Sequence, residues 1–249
     1  MGDSAMVPVA ATQQSASFCD AIKIDFQTRR NVMFTVRLLD DTIFQVGKIL
    51  CVARNYRSHA DEFGNKPPSE PVFFLKPASS IIGPRENAVI PPYSKLCHHE
   101  VELAVLIGKW GKNISTQEAM SHVAGYGVAI DLTLRDVQQR LKEQGLPWDQ
   151  AKGFDTSCPL SDFVPAGRIS NPHELRLKLS VNDEIRQDGN TSEMIHDIPT
   201  LISAASAIFT LEKGDILLTG TPAGVGPVVQ GDKICAEIEG VNWLNIGIQ

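Results

Sequence analysis

Two glutamates separated by a single residue, Glu100 and Glu102, carry the strongest chemical signal in this chain. They stand in His98-His99-Glu100-Val101-Glu102-Leu103-Ala104-Val105, where acidic and apolar residues alternate before an apolar run. Side chains two apart in a strand share a face, so both carboxylates project together while Val101 and Leu103 face the core. Like charges held side by side near a core repel with little water to screen them, and a divalent cation resolves that conflict. A third carboxylate, Asp131, ends the apolar run Tyr126-Gly127-Val128-Ala129-Ile130, where a strand hands over to a helix. Three convergent carboxylates form a hard, oxygen-only site that favours Mg2+ or Mn2+ over zinc. Standing alone, the Glu-x-Glu pair reads more simply as a solvated strand face.

Other polar groups gather around these three. Arg135 and Gln138 are three apart on the helix after Asp131, share one face, and lie near whatever Asp131 binds. The bland alternative for Arg135 is a surface pair with Asp136 or Glu143. Arg54-Asn55-Tyr56-Arg57-Ser58-His59-Ala60-Asp61-Glu62 follows an apolar strand, a place well suited to a site, with Arg54 a candidate substrate contact. His59 and Glu62 can meet on one helical turn. A carboxylate holding one imidazole nitrogen leaves the other free to take a proton from water. Lys76, at the end of Phe73-Phe74-Leu75, snorkels to solvent by default; it or Lys152 can instead neutralise an anion at the carboxylate site. The loop Thr219-Gly220-Thr221-Pro222-Ala223-Gly224-Val225-Gly226-Pro227 lacks a GK[ST] ending and no helix follows, so nucleotide binding is not expected. Its backbone N–H groups and the Thr221 hydroxyl can form a small nest for a substrate carboxylate, a plain turn being the alternative.

The elements that position these groups are mostly strands. Ala21–Phe26, Val32–Leu38, Ile49–Ala53, Val72–Leu75, Glu102–Ile107, Gly125–Ile130, Leu175–Val181, Asp215–Thr219 and Lys233–Ile238 read as strands, separated by turns such as Val181-Asn182-Asp183-Glu184 and Glu212-Lys213-Gly214-Asp215. Three helices are expected. One opens on the capping box Ser115–Glu118 and runs to about Ala124. A second runs from Thr133, as its cap, to Glu143 before Gly145. The third is capped by Asp197 with Pro199 in its first turn, and Leu201, Ile202, Ala205, Ile208 and Phe209 facing inward. Many strands without βα alternation argue against a Rossmann or TIM-barrel plan.

A chain of 249 residues with net charge −6 can hold one sizeable core and shows no basic patch for nucleic acid. No apolar run reaches the ~18 residues that cross a bilayer, and no secretory signal is read. The five scattered cysteines fit buried thiols of an intracellular chain, cytoplasmic or mitochondrial, Cys158 included. Residues 1–42 read as an N-terminal extension, loose over its first ~17 residues, before a catalytic domain over 43–249.

In the order RNY…H-x-x-E, FFLKP, HHExEL, D-x-T-x-RDVQ, AKxFD and TGTPxGVG, the motifs over about residues 43–249 resemble the fumarylacetoacetate hydrolase family. Within it they are most similar to the small acylpyruvase/oxaloacetate decarboxylase branch. The resemblance implies an α+β, mainly β, mixed β-sandwich roll, a homodimer, and one Mg2+ or Mn2+ per site. It assigns Glu100, Glu102 and Asp131 to the metal, His59 and Glu62 to a dyad on a mobile lid, and Lys152 to enolate stabilisation. Gln138, Arg135 and Thr221 match positions that orient water or hold substrate, and Lys76 matches a lysine near the site. The N-terminus is longer than this branch needs, and Gly64-Asn65-Lys66-Pro67-Pro68 reads more like the hydroxyheptadienedioate isomerases. The expected substrate is a small 2-oxo acid, whose carboxylate and carbonyl chelate the metal and form a metal-bound enolate. C–C bond cleavage, by hydrolysis of an acylpyruvate or decarboxylation of oxaloacetate, is the first expectation. Isomerisation or keto–enol tautomerisation is the second, and a non-catalytic metal-binding module the third.

Overall fold

The structure is a computed structural model that describes residues 34–57 and 69–249. The apolar run after Glu100 becomes the strand Val101–Ile107, which is buried at every position. Its flanks are Val123–Ile130 on one side and Ile216–Leu218 on the other. The full six-stranded order is Val164–Pro165, Val123–Ile130, Val101–Ile107, Ile216–Leu218, Lys48–Ala53, Val72–Pro77. Ile216–Leu218 runs parallel to Lys48–Ala53 but antiparallel to Val101–Ile107, so the sheet is mixed. Val101, Leu103, Val105 and Ile107 enter one core, shared with Leu177, Leu179, Ile234, Ala236 and Leu244 of a second sheet. Ala104 and Leu106 enter another, with Ile49, Cys51, Ile216 and Leu218. Cover on both faces explains why this strand reads as a continuous apolar run beyond Glu102.

The second sheet has the order Glu184–Asn190, Arg176–Val181, Lys233–Ile238, Asn242–Ile248, Asn87–Ala88. Lys233–Ile238 alternates exposed and buried side chains, as a strand with one wet face must. The hairpin from Arg176–Val181 to Glu184–Asn190 turns at Asn182 and Asp183, both left-handed at φ 50° and 67°. Asn and Asp tolerate that region best among non-glycine residues. The molecule is therefore α+β and mainly β, two stacked sheets with few helices. A small third sheet, Thr133–Leu134, Cys97–His99 and Gly226–Val228, ties together the segments that carry the polar motifs.

Several local expectations need correction. The helix expected from Ser115 to about Ala124 is one turn, Thr116–Ala119, then a 3-10 turn to His122, because Val123 already belongs to the sheet. Ser115 caps no backbone N–H; its hydroxyl donates to the Glu118 carboxylate at 2.9 Å. Thr133 does not cap the next helix, since it pairs with His98 in the small sheet and the helix Arg135–Glu143 starts two residues later. Asp197 does cap Ile198–Ile208, accepting from Thr200 N at 2.9 Å, but Ile208 faces outward. The strand expected at Ala21–Phe26 lies outside the described residues. Thr35–Arg37 and Ile43–Gln45 form a hairpin, and Val36, Leu38 and Phe44 join the second core. Among the described residues no helix is long and apolar enough to cross a membrane.

Gly214 turns the chain into Ile216–Leu218 at φ +97°, and a Cβ there would lie 1.9 Å from the Gln45 carbonyl oxygen. Gly214→Ala combines a left-handed backbone with a backbone clash, so it should cost about 2 kcal/mol or more. Urea titration checks this. An unchanged midpoint and slope would show that the turn relaxes freely.

Candidate active site

The solvated-face reading of the glutamates is excluded by burial: Glu100 is 4% exposed, Glu102 2% and Asp131 1%. Glu102 sits on Val101–Ile107 opposite Ala129 of Val123–Ile130, and Asp131 follows that partner strand directly. The Asp131 N–H donates to the Glu100 carbonyl at 2.8 Å, which carries the ladder one step further and holds the two residues abreast. One oxygen from each of the three carboxylates lies within 4.8 Å of the others.

Three cations meet them. Lys152, at the end of the short helix Asp149–Lys152, places Nζ 2.8 Å from Glu100 Oε2 and 2.7 Å from Asp131 Oδ2. Arg135 pairs with Glu100 Oε1 and donates to Gln138 Oε1 at 2.9 Å, so the two helical neighbours act together and Arg135 is no surface pair. Lys76 does not snorkel: it is 1% exposed, with Nζ 2.8 Å from Asp131 Oδ1. Its protons are shared among the carbonyls of Lys152, Ser157 and Leu132 and the Ser157 hydroxyl. These oxygens replace the water a buried ammonium would otherwise lack. Asp131 Oδ1 is left with no aligned hydrogen bond.

The electrostatics follow from this burial. Desolvation, with Asp131 and Glu100 adding repulsion, holds the Glu102 carboxyl well above its ordinary range. Burial opposes the Lys152 charge, but Asp131 and Glu100 outweigh it and raise its pKa. Burial and the Arg135 charge push His98 down to about 4, so its imidazole is neutral. Burial alone accounts for most of the rise of the Cys158 thiol to about 12, which fits the inert role read for it.

A cavity of about 490 Å³ opens over the carboxylates. It is lined by Arg54, Glu100, Glu102, Asp131, Arg135, Gln138, Lys152 and Thr221 from the expected set. Lys76 lies beneath it and not on its wall. His59 and Glu62 lie outside the described residues. Sequence reasoning missed the apolar wall, where Phe74 and Trp148 stand 6.3 Å apart and Lys152 Nζ lies 4.9 Å over the Phe74 ring. It also missed what Asn55 does inside the RNY motif. The Asn55 amide donates to the carbonyls of His196 and Thr219, both at 2.9 Å, and accepts from His196 N at 2.8 Å. That clamp holds Arg54 in a left-handed conformation, φ +59°, facing the cavity. The Gly220 N–H expected to serve a substrate nest donates to Glu102 Oε2 at 2.6 Å instead.

The donor set fits a divalent cation: three buried carboxylates, one oxygen lacking a hydrogen bond, and one carboxyl whose charge the site itself opposes. Mixed two-sheet architecture around such a cage defines a class of metal-assisted enzymes, and the comparisons agree. Residues 48–248 match the model described as fumarylacetoacetate (FAA) hydrolase C-terminal, and the chain belongs to that family. It is 52% identical to oxaloacetate tautomerase FAHD1, mitochondrial, of Bos taurus, over 81% of this chain and 91% of the relative. It is 48% identical to oxaloacetate tautomerase YcgM of Escherichia coli, over 79% and 90% of the two chains. Its structure is similar to fumarylpyruvate hydrolase from Pseudomonas aeruginosa in complex with Mn2+ and pyruvate. There the TM-score is 0.83 and the identity 35%, covering 86% of this chain and 94% of the other.

A raised Glu102 pKa has a defined stability signature in chelator-treated protein. Its contribution is fully present below the unfolded value near 4.5 and is lost as pH rises through the folded value. The thermal midpoint of the metal-free protein should therefore fall as pH climbs from about 4.5, and Glu102→Gln should flatten that fall. Parallel pH profiles for the two proteins would remove Glu102 as the cause.

Proposed function

We propose that the protein is a divalent-metal-dependent enzyme of small 2-oxo acids, interconverting the keto and enol forms of oxaloacetate. The observation that carries this reading is the buried Lys152 ammonium bridging Glu100 and Asp131 on the floor of the cavity. On this reading Lys152 serves the oxygen that gains charge as a C3 proton leaves, because a fixed cation in a dry site favours such charge strongly. Three carboxylates face three cations, Lys76, Lys152 and Arg135, so a bound divalent ion leaves a net double positive charge. That balance suits a dianionic 2-oxo acid.

Glu100, Glu102 and Asp131 would hold the ion, Mg2+ or Mn2+. Bound there, it supplies Lewis-acid polarisation of the 2-oxo group. Arg135 and Thr221 take the substrate's carboxylate oxygens, with Arg54 at the cavity edge. Gln138, fixed by Arg135, orients a water or a substrate oxygen. The base that takes the C3 proton is assigned to His59, oriented by Glu62.

Cleavage of a C–C bond is the first expectation from the sequence motifs. The 52% and 48% identities to oxaloacetate tautomerases now favour proton movement, against 35% to the fumarylpyruvate hydrolase. Cleavage is kept as a second reading on that last likeness: His59 would activate water for attack at C4 of an acylpyruvate, and pyruvate would leave as its enol.

Following oxaloacetate enol absorbance above the spontaneous rate, and pyruvate release from acylpyruvates separately, decides the order. Glu102→Ala should lose Mn2+ binding and all turnover while staying folded; full turnover with stoichiometric Mn2+ in that variant overturns the cage. Lys152→Ala should slow both reactions by about 3 kcal/mol, the scale of a lost oxyanion donor. His59→Ala should cut acylpyruvate cleavage by about 100-fold. An unchanged cleavage rate in that variant would take the base away from His59.

A further inference from the structure

Gln187 was invisible as a site residue, yet it is completely buried and belongs to the second sheet rather than to the sheet that carries the metal cage. Its amide spans the gap between the two. Oε1 is 3.1 Å from Val101 N and 2.9 Å from His99 Nδ1. Nε2 is 2.8 Å from Thr221 Oγ1 and 3.0 Å from the Pro222 carbonyl oxygen. Two of these partners leave no choice of orientation. A backbone N–H only donates and a carbonyl only accepts, so Oε1 must face Val101 and Nε2 must face Pro222. It follows that the amide donates to Thr221 and that His99 donates from Nδ1.

A threonine hydroxyl has one proton and two lone pairs. With a lone pair of Thr221 taken by Gln187, its own proton must go elsewhere, and among the described residues nothing is found to accept it. Thr221 lines the cavity, as do Glu102 and Lys152. The loop cannot drift away from Gln187 either. A Cβ on Gly189 would lie 2.5 Å from Pro222 Cβ, and one on Gly224 (φ +91°) 2.1 Å from the Arg186 carbonyl oxygen. The loop is seated directly on the strand that carries Gln187.

We propose that Gln187 is a positioning residue that sets Thr221 as a hydrogen-bond donor towards an anionic oxygen of the substrate. This rests on the reading of the cavity as a site for 2-oxo acids. Gln187 touches no substrate; it acts by fixing the polarity of the hydroxyl that does.

The test is oxalate binding to the Mn2+-loaded protein by calorimetry, with Mn2+ affinity measured separately. Gln187→Glu keeps acceptors for Val101 and His99 and, at a pH where the new carboxyl is ionised, turns the donor facing Thr221 into an acceptor, drawing the hydroxyl proton out of the cavity. Thr221→Val removes the hydroxyl. Each should weaken oxalate by about 10- to 100-fold, the value of one hydrogen bond to a charged group, with Mn2+ affinity unchanged. The double variant should be no weaker than Thr221→Val alone, since both act through one proton. With substrate, the loss should fall on KM more than on kcat. If Gln187→Glu does not fold, Gln187→Met in the same cycle carries the test, with a smaller loss that again vanishes in the Thr221→Val background. Wild-type-like oxalate binding in the Gln187 variant, or losses that multiply in the double variant, overturns the inference. Absence of oxalate binding in the wild-type protein overturns the functional reading and this inference with it.

Discussion

Three carboxylates held together away from water are the constraint on which the rest of the structure turns. Each buried ion costs several kcal/mol in lost hydration unless it is paired and hydrogen-bonded. The chain answers with Lys76 from below, Lys152 between Glu100 and Asp131, and Arg135 from the following helix. Such pairing offsets the penalty without making the region a source of stability. Stability comes from the two apolar cores on either face of the central sheet, which lock Val101–Ile107 whatever its first acidic residue demands. The strand is thus apolar on both faces except where chemistry requires otherwise.

Position is set by backbone hydrogen bonds together with two buried side-chain amides, Asn55 and Gln187. Asp131 is bound to Glu100 through one ladder hydrogen bond, and Gly220 to Glu102 through another backbone N–H. Asn55 fastens the Thr219 carbonyl to the corner that carries Arg54, and Gln187 fastens Thr221 to the second sheet. Five chain segments distant in sequence therefore share one rigid frame. A rigid frame matters because preorganised charge stabilises a developing anion without reorganising at the moment of reaction.

What was legible in the sequence was whatever follows a local period. The two-residue spacing exposed Glu100 and Glu102, the helical spacing exposed Arg135 with Gln138, and a strand-to-helix junction exposed Asp131. Lys76 read as a solvent-seeking lysine because its partners are backbone carbonyls from residues 132, 152 and 157, which no local pattern encodes. Gln187 was hidden for a different reason. Its strand, Glu184–Asn190, buries only Gln187 and Gly189, so no apolar alternation marks it. Thr133 looked like a cap because caps and short ladder residues use the same amino acids, and only the pairing with His98 tells them apart.

On the functional reading, the cage and Lys152 serve tautomerisation and C–C cleavage alike, because both pass through an enolate with charge on the same oxygen. What separates the two outcomes must lie above the cage, where water is admitted or kept out. Phe74 and Trp148 form an apolar wall beside Lys152, and a wall of that kind lowers the local dielectric and strengthens the lysine's charge on anything bound there. Proton movement at C3 gains from such dryness at every step. Cleavage of an acylpyruvate needs one ordered water beside a base, so it requires a wet point in an otherwise dry cavity. Relatives that share the carboxylates can therefore differ in reaction through the groups over C4, while the buried charges beneath stay as they are.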